Sequence, residues 1–295
     1  MKMRCTKVSG LGNDYCVFDA DAGAAWTDDR WSELARLVSD RDTGIGSDGI
    51  LVIGPGEARE DCITVATMRI FNADGSPGEM CGNGLRGAAR LLVERGRARA
   101  GGSQGFVIAT DAGLRTCWID PEHPHLVRTT MGRARFGPGA VGAAAGFDER
   151  GCDGSGLYRI GEESARLVSV GNPHAVVLVD EPLSQADLAR RGAGIERAGA
   201  FPGRINAQFA RVKDPGAVGV QSWERGAGAT SACGTGAAAV VAGLHRAGLV
   251  GREVVVTLPG GDLTIEITTG GEIVQTGPAE IESDYDWPID DWPID

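Results

Sequence analysis

The chain carries the same short phrase twice, as Cys81-Gly82-Asn83-Gly84 and Cys233-Gly234-Thr235-Gly236, 152 residues apart. Each is a turn of small residues that opens a run of small and apolar side chains, Leu85 to Val93 in the first case and Ala237 to His245 in the second. Both runs read as helices. A second phrase recurs in the same order, Val8-Ser9-Gly10-Leu11-Gly12-Asn13 and Val168-Ser169-Val170-Gly171-Asn172, with its asparagines 159 apart. Each copy leads into an apolar run that ends in an aspartate, Asp19 or Asp180. Two motifs in one order at similar offsets imply duplication of a single α/β unit. A length of 295 residues suits two such units, each with its own core.

Apolar periodicity elsewhere alternates strands with helices. Strands are expected at 16–19, 50–53, 63–71, 105–109, 116–119, 175–179, 218–223, 254–257 and 263–267. Helices are expected at 28–39, 84–95, 185–191 and 235–247, the first capped by Thr27 or Asp28. The Gly/Ala-rich stretch 133–157 reads as a loop that begins the second half. The acidic end, with Asp-Trp-Pro-Ile-Asp in tandem, reads as a poorly ordered tail over 284–295.

Composition removes several functions. The net charge of −11 speaks against nucleic acid or an anionic membrane surface as the main partner. No stretch approaches the roughly 20 apolar residues of a membrane span, and no signal peptide is visible at the start. The seven cysteines form no CxxC pair and are expected to be reduced thiols in a cytoplasmic protein. The lysines, Lys2, Lys7 and Lys213, lie outside any phosphate-binding loop signature. Gly44-Ile45-Gly46-Ser47-Asp48-Gly49 matches GxGxxG, but charged residues precede it and a strand-like run follows, the wrong surroundings for a dinucleotide site.

A cysteine at a helix N-terminus is a candidate reactive thiol, because the dipole and the free amides favour the thiolate. Those amides also suit a carboxylate, and the glycines let the ligand approach the backbone. Two such cysteines form a candidate acid/base pair that inverts a carbon stereocentre without a cofactor. One thiolate removes the α-proton, the opposite thiol returns one to the other face, and donors at the carboxylate hold the developing charge. A disulfide between Cys81 and Cys233 is a third reading, a resting form of the same site. Cys5, Cys16, Cys62, Cys117 and Cys152 read as small buried apolar residues.

The run Met68-Arg69-Ile70-Phe71-Asn72-Ala73-Asp74-Gly75-Ser76, followed by Cys81-Gly82-Asn83-Gly84-Leu85-Arg86, resembles the signature of the diaminopimelate epimerase family. So does Trp223-Glu224-Arg225-Gly226-Ala227-Gly228 followed by Ala232-Cys233-Gly234-Thr235-Gly236. The resemblance extends over Gly10 to Asp14, Asp40-Arg41, Gly44 to Gly49, Ser169 to His174 and Leu258 to Leu263. It implies an α+β fold of two pseudo-symmetric α/β lobes, each a curved mixed or antiparallel sheet wrapped around a central helix, with the active site in the cleft between them. The N-terminal lobe is expected at 1–127, with 272–283 returning to it, and the C-terminal lobe at 128–271.

The implied activity is pyridoxal-independent interconversion of LL- and meso-diaminopimelate, a step toward lysine and peptidoglycan. Cys81 and Cys233 match the catalytic pair. Asn13, Asn72, Gly82, Asn83, Asn172, Asn206, Glu224, Arg225, Gly234 and Thr235 match substrate-binding positions. Within that set, the amides of Gly82, Asn83, Gly234 and Thr235 hold the carboxylate at the reacting carbon. Asn72, Asn206, Glu224 and Arg225 serve chiefly the distal amino-acid end. His174 and Glu224 match residues that tune the thiols. No metal and no cofactor is implied; the partners are an amino-acid substrate and a second copy in a homodimer.

By themselves Asn13 and Asn172 also read as turn residues beside glycine, and His174 as a structural histidine. Many family members carry glutamate where this chain has Ala229, and some carry a substrate-binding glutamine where Gly49 stands. Two rival functions follow: a two-cysteine racemase or epimerase for another amino acid, and a non-catalytic amino-acid-binding protein of the same fold.

Overall fold

The computed structural model describes residues 2–20, 26–58, 62–78, 80–145, 147 and 156–289. It divides into two units, Met1–Thr129 with Gly277–Asp295, and Thr130–Thr276. The first boundary falls at 129/130 against the expected 127/128, and the return at 277 against 272.

Lobe 1 opens with a hairpin, β1 (Lys2–Gly10) and β2 (Asn13–Asp19), turned at Leu11-Gly12. Helix α1 (Asp28–Ser39) crosses over to β3 (Gly49–Pro55), which pairs parallel with β2. Thr27 stands at the N-cap of α1 without a side-chain capping bond, and Asp28 and Asp29 favour its positive end. β3 turns back antiparallel into β4 (Thr64–Asn72), against which lies the short β5 (Pro77–Gly78). Helix α2 (Gly82–Glu94) then leads to β6 (Phe106–Thr110), parallel to β4, and β7 (Gly113–Ile119) and β8 (Leu126–Gly132) continue the meander.

Lobe 2 repeats this plan. After β9 (Arg135–Phe136) and a 3-10 turn at Pro138–Val141 come β10 (Tyr158–Ile160) and β11 (Glu163–Ser169). β11 forms a hairpin with β12 (Pro173–Leu178), and α3 (Gln185–Glu196) crosses to the parallel β13 (Asn206–Asp214). β14 (Ala217–Glu224) returns antiparallel with the short β15 (Gly228–Thr230) against it. α4 (Gly234–Arg246) leads to β16 (Glu253–Leu258), parallel to β14, and β17 (Gly261–Ile267) and β18 (Ile273–Pro278) close the meander. The duplication read from the motifs is therefore a duplication of topology, β1–β8 matching β11–β18, with β9 and β10 added ahead of the second copy.

Each lobe is built on its second helix. α2 is buried from Gly82 through Ala89 and packs on Val8, Val17, Leu51, Met68, Ile108 and Cys117. α4 is buried from Gly234 through Leu244, on all sides. That burial explains its composition of alanine, valine and glycine, since a helix apolar all round belongs inside. α1 and α3 are amphipathic and cover outer faces through Trp31, Leu34 and Val38, and through Leu188 and Ile195.

Two expectations need correction. Residues 284–288 are not a loose tail: they lie in β19 (Glu280–Pro288), paired antiparallel with β1 from Lys2↔Pro288 to Ser9↔Glu280. The acidic residues that suggested solvent instead meet the basic residues of β1, as Arg4 with Asp284 and Lys2 with Asp286. Trp287 packs on the core that holds Met3 and Phe18. Residues 290–295 and Cys152 lie outside the described residues. The stretch 133–157 holds β9 and the 3-10 turn as well as loop. Where GxGxxG occurs, β3 starts at the last glycine, as the strand-like run there required. Among the described residues, no helix is long and apolar enough to cross a membrane.

Candidate active site

Both cysteines occupy the N-cap of their lobe's central helix with extended backbone, Cys81 at φ −132° and Cys233 at φ −124°. The sulfur of Cys81 accepts a bond from the Gly84 amide at 3.2 Å. The second glycine of each phrase has a packing cause. A Cβ at Gly84 would lie 3.1 Å from Leu51 Cδ2, and one at Gly236 would lie 2.6 Å from the Gln208 amide. The helix start can lie against the strand only where no side chain intervenes.

In lobe 1, Cys81 is half-buried and its sulfur bonds the Tyr15 hydroxyl at 3.0 Å. Asn83 donates to Asn13 Oδ1 at 2.6 Å, and Asn13 donates to Asp48 Oδ2 at 2.8 Å. Asp48 also meets Arg41, which bonds Asp14 as well. Arg86, absent from the expected site, lies fully buried one turn into α2 and donates to Asn83 Oδ1 at 2.6 Å and to the Pro278 carbonyl. Its Nη1 has no partner among the described residues. Burial pulls the guanidinium down to about 10, opposed by the charge of Cys81, so it stays a cation at neutral pH and favours negative charge at the sulfur. Asn72 is exposed at the end of β4 and donates to Ser76 Oγ at 3.0 Å. Gly49 pairs with Asn72 across the ladder, and a Cβ there would meet the Phe71 carbonyl at 2.3 Å.

In lobe 2, Cys233 is buried, with Thr235 Oγ1 at 3.6 Å. Burial pushes its thiol well above the ordinary range, the Glu224 carboxylate adds to the push, and the Thr235 hydroxyl and Gly236 amide oppose it. Glu224 accepts a bond from Thr230 at 2.6 Å. Ala229, next to Thr230, is exposed and lies on the other face of β15 from it, since side chains alternate along a strand. Asn172 donates to Thr235 Oγ1 at 3.1 Å and meets His174 Nε2 at 2.8 Å. His174 is fully buried, and burial, with the charge of Arg225, pushes its imidazole down to about 3. Asn206 Oδ1 accepts the Arg225 amide at 2.8 Å.

The structure thus ties Asn13, Asn83 and Arg86 together at one helix start, and Asn172, His174, Thr235 and Cys233 at the other. Three further residues were missed. Glu196 is buried and holds Trp223 Nε1 at 2.8 Å and the Gly226 amide at 3.0 Å, which fixes the turn carrying Glu224 and Arg225. Gln275 is fully buried beside Gly234 with both amide atoms unpaired among the described residues. Gln208 is fully buried in β13 between apolar Ala207 and Phe209, and that interruption was a readable signal. Cys5, Cys16 and Cys117 sit in the core as apolar residues do.

A family model described as diaminopimelate epimerase matches residues 5–137 and 166–282. The chain is 39% identical over 282 residues to a diaminopimelate epimerase of Carboxydothermus hydrogenoformans, covering 95% of this chain and 97% of that protein. It is 37% identical over 270 residues to the one of Methanothermobacter thermautotrophicus, covering 90% and 91%. Among solved structures, a hydroxyproline epimerase from Agrobacterium vitis aligns over 99% of this chain and 94% of its own, with a TM-score of 0.69 at 18% identity. A PhzF-family phenazine biosynthesis protein of Bacillus anthracis aligns over 98% and 100%, with a TM-score of 0.63 at 15% identity. At such identities the likeness is one of fold.

Proposed function

The chain belongs to the diaminopimelate epimerase family, and on that premise we propose that it interconverts LL- and meso-2,6-diaminopimelate in the synthesis of lysine and peptidoglycan precursors. The observation that carries the reading is the pair of cysteines at the N-caps of two equivalent buried helices. Cys81 and Cys233 act as base and acid. The thiolate takes the α-proton, and the electrons of the C–H bond pass into the adjacent carboxylate. The other thiol then protonates the opposite face, leaving its own thiolate, and exchange with solvent resets the pair. No electron acceptor is needed, because nothing is oxidised.

The amides of Gly82, Asn83, Gly234 and Thr235 bind the carboxylate at the reacting carbon, since helix-start amides favour an anion. Asn72, Asn206, Glu224 and Arg225 hold the distal amino-acid end, an arginine fork suiting its carboxylate. Asn13 and Asn172 orient the two helix starts. His174 and Glu224 tune Cys233, the histidine through Asn172 and Thr235 and the carboxylate by opposing the thiolate. The working form is a homodimer in the cytoplasm, a reading supported by the family resemblance.

The test is proton NMR of the reduced protein with LL-diaminopimelate in deuterated water. Loss of the α-proton signal with growth of the meso isomer is the expected result. No exchange there, with exchange on another amino acid, would move the assignment to a different substrate.

A further inference from the structure

We propose that lobe 2 sets the reactivity of Cys233 through a one-way chain of buried hydrogen bonds that starts at Ser222 and runs through Gln208, His174, Asn172 and Thr235. Gln208 is then a positioning residue for the acting thiol. This deepens the proposed function and rests on Cys233 being one of the two acting thiols.

The direction of each bond follows from the one before it. Ser222 Oγ donates to Gln208 Oε1 at 2.6 Å. That leaves Gln208 Nε2 facing His174 Nδ1 at 3.3 Å. An amide nitrogen only donates, so Nδ1 accepts and the ring proton sits on Nε2. Nε2 donates to Asn172 Oδ1 at 2.8 Å, and Asn172 Nδ2 donates to Thr235 Oγ1 at 3.1 Å. A hydroxyl that already accepts has its own proton free to give, and Cys233 Sγ lies 3.6 Å away. Every donor points toward the sulfur. Bonds in series in a dry interior polarise one another, and a donor aimed at sulfur favours the thiolate.

The chain is sheltered as such a device requires. Ser222, Gln208, His174 and Thr235 are all buried. The imidazole, held neutral by burial, keeps a single tautomer at working pH. Of the charged groups, Glu224 of β14 acts on Cys233 and opposes its thiolate, and Arg225 acts on His174 and opposes an imidazolium. β18 brings the neutral amide of Gln275 beside Gly234.

Lobe 1 supplies the comparison. Gln208 pairs with Ser222 where Leu51 pairs with Ile70, and His174 pairs with Val168 where Tyr15 pairs with Val8. The first lobe fills two of the three places with hydrocarbon and reaches its sulfur directly through Tyr15. The polar set in lobe 2 is therefore no requirement of the fold.

The experiment is iodoacetamide labelling across pH, with the peptides of Cys81 and Cys233 quantified by mass spectrometry in the same sample. It reads thiol ionisation without turnover, so a protein that failed to epimerise diaminopimelate would still give an answer. Gln208→Met keeps the unbranched shape and removes both amide groups. The expected result is a shift of the Cys233 curve upward by about one pH unit, about tenfold slower labelling at neutral pH, with the Cys81 curve in place. Thr235→Val should shift it at least as far, and the double variant no further than Thr235→Val alone, because both cut one chain. An unmoved Cys233 curve in the folded variants, additive shifts, or equal movement of both thiols would overturn the proposal. If Gln208→Met does not fold by circular dichroism, Ser222→Ala alone and with Thr235→Val decides in the same way.

Discussion

The Tyr15 hydroxyl lies 3.0 Å from the Cys81 sulfur, and the residue in its place in the other lobe, His174, bonds Asn172 instead. One fold, used twice, therefore addresses its two sulfurs differently. A phenol donates a hydrogen bond to a thiolate and accepts one from a thiol, so Tyr15 can serve Cys81 in either state. Tyr15→Phe should lower kcat on the order of tenfold with KM little changed, as expected for loss of one bond to a charged group. Steady-state kinetics of the variant checks this; a change confined to KM would contradict it.

Cys81→Ser and Cys233→Ser should each reduce epimerisation by roughly a thousandfold or more, since a hydroxyl is a far weaker acid than a thiol. Both replacements keep the N-cap position and the size of the side chain, and serine is a favoured cap. Thermal melts should therefore stay close to the parent. Unchanged turnover in either variant would end the two-thiol mechanism.

Stability should fall in acid through His174. Its folded value, about 3, lies below the ordinary 6.5, so the unfolded chain binds the extra proton. The contribution is present above the ordinary value and is lost as pH falls below it, at up to about 1.4 kcal/mol per pH unit until the folded value is reached. Urea unfolding at pH 4, 5, 6 and 7 should show that slope, and His174→Gln should flatten the part of it due to this ring. Parallel curves for the two proteins would refute the assignment.

Two glycines of α3 should respond with opposite sign to the same change. A Cβ at Gly192 would lie 2.4 Å from Trp223 Cγ, atoms that cannot swing away, whereas Gly194 faces open space. Gly192→Ala should cost about 1–3 kcal/mol and loosen the strand end that carries Glu224. Gly194→Ala should add about 0.5–1 kcal/mol through helix propensity alone. Equilibrium denaturation of the pair is the measurement; equal effects would mean that α3 does not sit on Trp223 as closely as described.

The central helices and the repeat were legible because glycine, cysteine and small apolar residues leave one solution, a buried helix with a bare N-terminus. Strands of mixed character were not. In β1, exposed Lys2 and Arg4 alternate with buried Met3 and Cys5, but the pattern breaks at buried Thr6, which leaves too short a signal to read. β19 reads as solvated because its acidic residues find partners 280 positions away, a distance no local pattern spans. In the candidate site the sulfurs and the asparagines beside them were visible. Arg86, Glu196, Gln208 and Gln275 were not assigned roles, since their meaning depends on burial, and burial of a polar side chain shows only when its neighbours are known.

β19 follows every strand of the second lobe in the chain, yet it completes the first lobe by pairing with β1. During synthesis on the ribosome, then, the part begun first is the part finished last. The first lobe must wait with the outer side of β1 unpaired while the whole of the second emerges, a window in which that strand can meet other chains. The exposed Lys2 and Arg4 of β1 suit that wait, since charge along an open edge discourages the wrong partner until the acidic strand arrives.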